Sequence, residues 1–281
     1  MPRTGLVMRH PFPMRRLALA LVVALSPAVI GCAETTPNAQ SALQYSENAK
    51  KAYAKALEAF LDHDWEEARV LMGEVKRKYA YAREARLAEL RIADIDYEQE
   101  KFASAITAYR TFAHDHRTDE SVPYARFRIC KSLFSQISDT LLLPPQEERD
   151  QAQSVDAYRE LNSFLIDYPE SKWSKESKFM LLTVTGRLVR HELYVGRYYL
   201  TKGNFEAAAK RIQYALRQYD GSGLEPEGMV LLGETYLKMK KVREATEVFK
   251  TMIAVYPGSP FTDVARHFLA ELSTPGAVVA R

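Results

Sequence analysis

Apolar side chains recur along this chain at the three- and four-residue spacing of helices that bury one side. The residues that would interrupt helices are scarce. Between Pro37 and Pro123 there is no proline, and between Gly31 and Gly186 the one glycine is Gly73. Such stretches exclude an all-β sandwich or barrel and leave no place for a glycine-rich phosphate loop. Within the helical pattern a shorter signature repeats: an aromatic or apolar residue, two further residues, then alanine. It reads Trp65-x-x-Ala68, Phe102-x-x-Ala105, Phe205-x-x-Ala208 and Val242-x-x-Ala245, with a weaker copy at Ser154-x-x-Ala157. The alanines stand 37, 52, 51 and 37 residues apart, which gives a unit of about 37 residues with insertions around the middle copy.

Each unit reads as two amphipathic helices joined by a tight turn. In the clearest copy Leu232-Gly233-x-x-Tyr236 lies on the first helix and Ala245-x-x-x-Phe249 on the second, with Pro257 after it. Gly233 and Ala245 are expected to face each other where the two axes approach, with Tyr236 and Phe249 filling the space beside them. Val195-Gly196-x-x-Tyr199, Gly203, Ala208 and Ile212 repeat the arrangement one unit earlier. This resembles the tetratricopeptide repeat, five copies covering about residues 45–270. The expected fold is all-α, an α-solenoid of five helix pairs.

The middle departs from the period. Ser138–Asp150 contains Pro144-Pro145, which cannot continue a helix, and is expected to separate the two helices of unit three as an interaction loop or linker. Lys172 to Lys202 has no proline and only two glycines, and is expected to form one long helix. The organisation read from the pattern is a leader over 1–31 and a tether over 32–44. Repeats follow over 45–137, then the insertion with the second helix of unit three over 138–171. The long helix with units four and five takes 172–272, and a tail 273–281.

Composition changes the picture at one end. The 281 residues are 47% hydrophobic and 27% charged, a globular balance, with a net charge of +3. Of the 39 basic residues four lie in the first 31 positions, where none of the 36 acids does. The rest therefore carries 35 bases against 36 acids, which gives no electrostatic case for nucleic-acid binding. The leader itself is a basic start, Arg15-Arg16, followed by an apolar run from Leu17 to Leu25, too short to span a bilayer as a helix. Val29-Ile30-Gly31-Cys32 resembles a bacterial lipobox, with Cys32 as the acylated first residue of the mature chain. Acyl chains worth about 0.8 kcal/mol per buried CH₂ make such an anchor effectively permanent. Ala33 in place of aspartate resembles lipoproteins sorted to the outer membrane. Cys130, in the apolar-periodic stretch Ala125–Ile137, is read as a small buried hydrophobe.

Lipobox, repeats, insertion and long helix together resemble the BamD family of outer-membrane assembly lipoproteins. The local anchors are Tyr53-x-x-Ala56 with Trp65-x-x-Ala68, Phe164-x-x-x-Tyr168-Pro169-x-Ser171, and the block Arg187-Leu-Val-x-x-Glu192-x-x-Val195-Gly-x-Tyr198-Tyr199-x-x-x-Gly203-x-x-x-Ala207-Ala-x-x-Arg211. Two departures stand out: Ala80 and Arg117 occupy the places of the closing proline in units one and two. The resemblance implies an outer-membrane protein, lipid-anchored and facing the periplasm. Its N-terminal repeats would receive C-terminal segments of unfolded outer membrane proteins, and its C-terminal repeats would dock the barrel-forming subunit, beside other assembly lipoproteins. Arg211 falls on the family's partner-contacting arginine, where a fork of donors suits a carboxylate. The residues themselves offer an aromatic groove on the first three units, Tyr53, Phe60, Tyr97, Phe127 and Phe134, suited to an extended segment ending in an aromatic residue.

Enzymatic chemistry finds no constellation. His114-x-His116 lies in the turn after unit two without supporting metal ligands and reads as a polar turn. No triad, nucleophile elbow or HExxH motif occurs, so neither a cofactor, a metal nor a catalytic residue is expected. The alternative is a repeat lipoprotein coordinating cell-wall synthesis or division. It would be favoured by a coiled coil before the repeats, for which the dozen residues after Cys32 leave no room.

Overall fold

The computed structural model describes residues 39–137 and 144–274. Cys32, the whole leader and most of the tether and tail lie outside them, as does the first part of the insertion. Two compact units divide the chain, residues 1–42 and 43–281; of the first, only the opening residues of a helix are described.

Eleven α-helices are present among the described residues: α1 (Ala39–Leu61), α2 (Trp65–Lys78), α3 (Arg83–Glu98), α4 (Phe102–Asp115), α5 (Val122–Ser135), α6 (Ala152–Asp167), α7 (Ser174–Thr201), α8 (Phe205–Gln218), α9 (Glu225–Lys238), α10 (Val242–Val255) and α11 (Phe261–Ser273). Five consecutive pairs, α1 to α10, form the tetratricopeptide-repeat solenoid. α11 packs on α9 and α10 and closes the end of the stack. α1 reaches back to Ala39, six residues inside the segment read as tether. That reading is corrected: Ala39–Gln44 contains neither proline nor glycine and joins the helical run that follows it.

The repeat has a sharper register than its alanine. Ala68, Ala105, Ala157, Ala208 and Ala245 are all fully buried. Four residues later stand Met72, Tyr109, Leu161, Ile212 and Phe249, and seven later Val75, Phe112, Phe164, Ala215 and Met252, none more than 1% exposed. Those offsets trace one side of a helix. Eleven residues after each alanine the second helix of the pair stops on an aromatic C-cap: Tyr79, His116, Tyr168, Tyr219 and Tyr256. Its N–H still bonds the carbonyl four residues back while its backbone has left the helix, with φ between −117° and −135°. Units one and two therefore end in the common way without the proline.

The turns between paired helices are equally regular. Residues His63, Glu100, Gly203 and Lys240, each two positions before the motif residue, take positive φ of 61°, 58°, 73° and 60°. Glycine adopts that conformation without steric cost; the other three do not. Asp64 and Asn204 follow in units one and four, and their side chains accept from Glu67 N and Ala207 N to cap α2 and α8. At the crossing of α9 and α10, Gly233 faces the Phe249 ring, one helical turn beyond the Ala245 expected there. A Cβ on Gly233 would sit 2.4 Å from two ring atoms, so hydrogen is what the approach permits.

α7 is one unbroken helix of 28 residues. Before it, Pro144 and Pro145 lead into a single 3₁₀ turn, Gln146–Glu148, that lies on α7. The Glu147 carbonyl accepts from His191 Nδ1 at 2.7 Å, which fixes a proton on that nitrogen, and Tyr194 donates to Glu148 at 3.0 Å.

Candidate functional site

In four of the five units the position four residues after the motif alanine is Met, Leu, Ile or Phe. Unit two has Tyr109, and its buried hydroxyl needs a partner. That partner is Asp94 on α3, 1% exposed although flanked by core residues Ala93 and Ile95. Tyr109 donates to Asp94 Oδ1, Tyr124 of α5 donates to the same oxygen at 2.7 Å, and Arg128 Nε lies 3.2 Å from it. Arg91 reaches Oδ2 at 2.5 Å. A carboxylate taken this far from water is sustained by these donors together.

The arginines in turn organise aromatic rings. Arg128 stacks over Tyr97 at 4.1 Å from the ring centre, and its Nε also donates to the Tyr109 hydroxyl at 3.0 Å. Arg91 lies 5.8 Å from the centre of the Phe60 ring and 5.5 Å from that of Tyr124, and Tyr53 contributes to its electrostatic environment. Burial opposes the charge on Arg128, and Tyr109, Asp94 and Tyr124 outweigh it, so it holds its proton more firmly than a free guanidinium. Arg91 behaves likewise, with Asp94 the main opposing influence to burial. Burial first, then the negative charge of Asp94, raises the hydroxyls of Tyr109 and Tyr124, which stay donors at any physiological pH.

Three of the five aromatic residues singled out from the pattern, Tyr53, Phe60 and Tyr97, thus meet around two arginines and an aspartate that the pattern did not single out. The Tyr97 hydroxyl also lies 3.1 Å from Ser135 Oγ, which ties unit two to unit three. The other two, Phe127 and Phe134, belong to the core that Tyr97 also borders. Phe127 is 4% exposed, stacked on Trp173 at 5.5 Å and near Phe164, inside the main core. Phe134 is partly buried against the same core. The available clue to the cluster was the phenol at a position otherwise aliphatic or phenylalanine.

Arg211 sits on α8, half exposed, with Nη1 3.2 Å from Glu192 Oε2 of α7. Glu192 is itself buried, so Arg211 is anchored at its inner edge and open at its outer one. The histidines of the unit-two turn each pair with one acid: His114 with Asp115 at 2.8 Å and His116 with Glu89 at 3.1 Å. No group of three His, Cys, Asp or Glu side chains able to hold a metal occurs among the described residues. Cys130 is fully buried, and burial pushes its thiol up, away from the reactive thiolate.

Paired helices in repeat register, with an ordered arginine–tyrosine cluster across units one to three, define a tetratricopeptide-repeat protein. A tetratricopeptide-repeat model matches residues 227–259. The chain belongs to the YfiO family of outer membrane lipoproteins, whose model matches residues 45–242. Relatives named outer membrane protein assembly factor BamD include those of Neisseria meningitidis serogroup A, 24% identical over 86% of this chain and 92% of the relative. That of Caulobacter vibrioides is 26% identical over 88% and 77%, and that of Xylella fastidiosa strain 9a5c is 24% identical over 78% and 75%. No helix among the described residues is long and apolar enough to cross a membrane.

Proposed function

We propose that this chain is a non-enzymatic scaffold of outer-membrane β-barrel assembly, anchored by lipid on Cys32 and facing the periplasm. Unfolded barrel clients engage the cluster of Tyr53, Phe60 and Tyr97 with its two arginines, and the barrel-forming subunit docks at Arg211. The family supports the lipoprotein anchor, and the relatives' shared name supports the assembly role. The observation that carries the reading is the separation of two chemically different sites, an aromatic–guanidinium cluster in units one to three and an arginine open on one side in unit four.

Tyr97→Ala is expected to weaken a client peptide ending in an aromatic residue by about 1–2 kcal/mol and to leave the subunit complex intact. Arg211→Ala is expected to do the opposite. Alanine is the better first choice there, because Arg211→Glu would set a second carboxylate against buried Glu192. Peptide anisotropy and co-purification of the subunit read the two effects, with circular dichroism confirming both folds. Loss of one and the same interaction in both variants refutes the assignment.

A further inference from the structure

The N-terminal half of α7 carries a surface that the function above does not use. At about 100° per residue, Lys175, Lys178, Phe179, Leu182, Gly186 and Arg190 fall within about 120° of one another on the helix. Phe179 is 67% exposed and Leu182 50%. Lys175, Lys178 and Arg190 are exposed, and none has an acidic partner among the described residues. The acid at the edge of this side, Glu176, is already engaged by Lys131 at 2.9 Å. Three uncommitted cations thus surround two large exposed apolar side chains on one side of a single helix.

Farther along α7 the same side is covered, and what covers it brings acids. Leu193 is 1% exposed beneath Gly228 of α9. Arg197 pairs with Glu227 of α9, and the 3₁₀ turn sets Glu148 on Tyr194. Where cover ends, a hollow of about 330 Å³ opens beside Arg190, lined also by Glu147, Leu193, Tyr194, Arg197 and Glu227. The open half is thus continuous with an interface in which acidic backbone segments meet the basic and aromatic residues of one helix.

We propose that α7 from Lys175 to Arg190 docks an acidic segment of a partner protein. Its carboxylates lie on Lys175, Lys178 and Arg190, and its apolar side chains cover Phe179 and Leu182. A protruding side chain fits the recess at Arg190, which a flat layer of lipid headgroups does not enter. The surface is independent of the client and subunit sites and stands or falls apart from them.

The test uses the detergent-solubilised full chain and a fluorescent hexapeptide of two leucines flanked by glutamate pairs, with its lysine counterpart as control. The glutamate peptide should bind, and the lysine peptide should not. Lys175→Glu with Lys178→Glu should weaken the glutamate peptide at least about tenfold and admit the lysine peptide instead, as charge complementarity requires. Leu182→Ser should weaken it severalfold with its salt dependence unchanged. Because all these side chains are exposed, the variants keep the fold, which circular dichroism checks. Failure of the glutamate peptide to bind, or binding indifferent to the charge reversal, overturns the proposal. So does displacement of the peptide by dihexanoyl phosphatidylglycerol more readily than by unlabelled peptide, which would assign the surface to lipid.

Discussion

Replacing Gly233 by alanine adds one methyl group, and the structure fixes where it must go. The new Cβ would lie 2.4 Å from Cε1 and from Cζ of Phe249 and 3.0 Å from Cδ1. Carbon atoms in favourable contact sit about 3.5–4.0 Å apart, so the overlap exceeds about 1 Å. The Phe249 ring has nowhere easy to retreat. It is fully buried, and Phe268 of α11 stacks on it at 5.0 Å with the planes 7° apart. Overpacking of a tight core costs about 1–3 kcal/mol, and a rigid stacked ring places this site in the upper part of that range. The gain in helix propensity from glycine to alanine returns about 1 kcal/mol. The net expectation is a loss of about 1–2 kcal/mol, which for a domain of this size lowers the melting temperature by about 2–4 °C per kcal/mol. Gly73, inside α2, provides the control, since nothing lies within 4 Å of its added Cβ. Gly73→Ala should therefore stabilise by about 0.5–1 kcal/mol. Urea and thermal unfolding followed by circular dichroism read both signs. Amide exchange over α9 to α11 shows whether the loss is local, as nearest-neighbour stacking predicts. Adding Phe249→Leu to Gly233→Ala should recover stability relative to additivity. Equal signs for the two glycines, or additive effects in that double variant, would refute the packing geometry.

Asp94→Ala should cost about 3–5 kcal/mol in urea unfolding, because it strands two arginines in a buried site. Tyr109→Phe removes the hydroxyl that donates to Asp94 and accepts from Arg128 but leaves carboxylate and guanidinium facing each other, and should cost less, about 1.5–3 kcal/mol. Burial works against the charge of Asp119, and the Ser121 amide and Arg86 side chain outweigh it, so its carboxyl titrates below the usual range. Its contribution is present above the unfolded value of about 3.9 and is lost as pH falls through the lower folded value; Asp119→Asn should flatten the acid limb of a stability–pH curve there. Cys32→Ser should leave the leader uncleaved or release the chain from membranes, and normal lipidation of that variant, read by labelled palmitate, would remove the anchor.

Much of the architecture was legible because close helix crossings demand small residues at fixed intervals. Ala68, Ala105, Ala157, Ala208 and Ala245 expose that interval directly, and it lengthens at two places, across Pro144-Pro145 and across the long α7. The left-handed turns were legible only at Gly203, because His63, Glu100 and Lys240 adopt the same backbone without the residue that advertises it. The site was harder to read for a different reason. Periodicity assigns a side of a helix, and Asp94 lies on the buried side only because Tyr124 and Arg128, some 30 residues later on α5, arrive to satisfy it. Ring identity alone likewise could not separate Tyr97, held beneath a guanidinium, from Phe127, pressed flat on Trp173.

The continuity of α7 bears on how the molecule can move. Twenty-eight residues at about 1.5 Å each make a rod of about 42 Å with no proline along it. One end packs on α5 and α6 and the other on α8. A hinge needs a few residues free to change φ and ψ, and Ser174–Thr201 offers none. Strain entering at unit three must travel along the rod as rotation or sliding, and is relieved where neighbouring helices slip over its sides. Load taken up by one half therefore reaches the other as torque at the α7–α8 contact, where Glu192 holds Arg211.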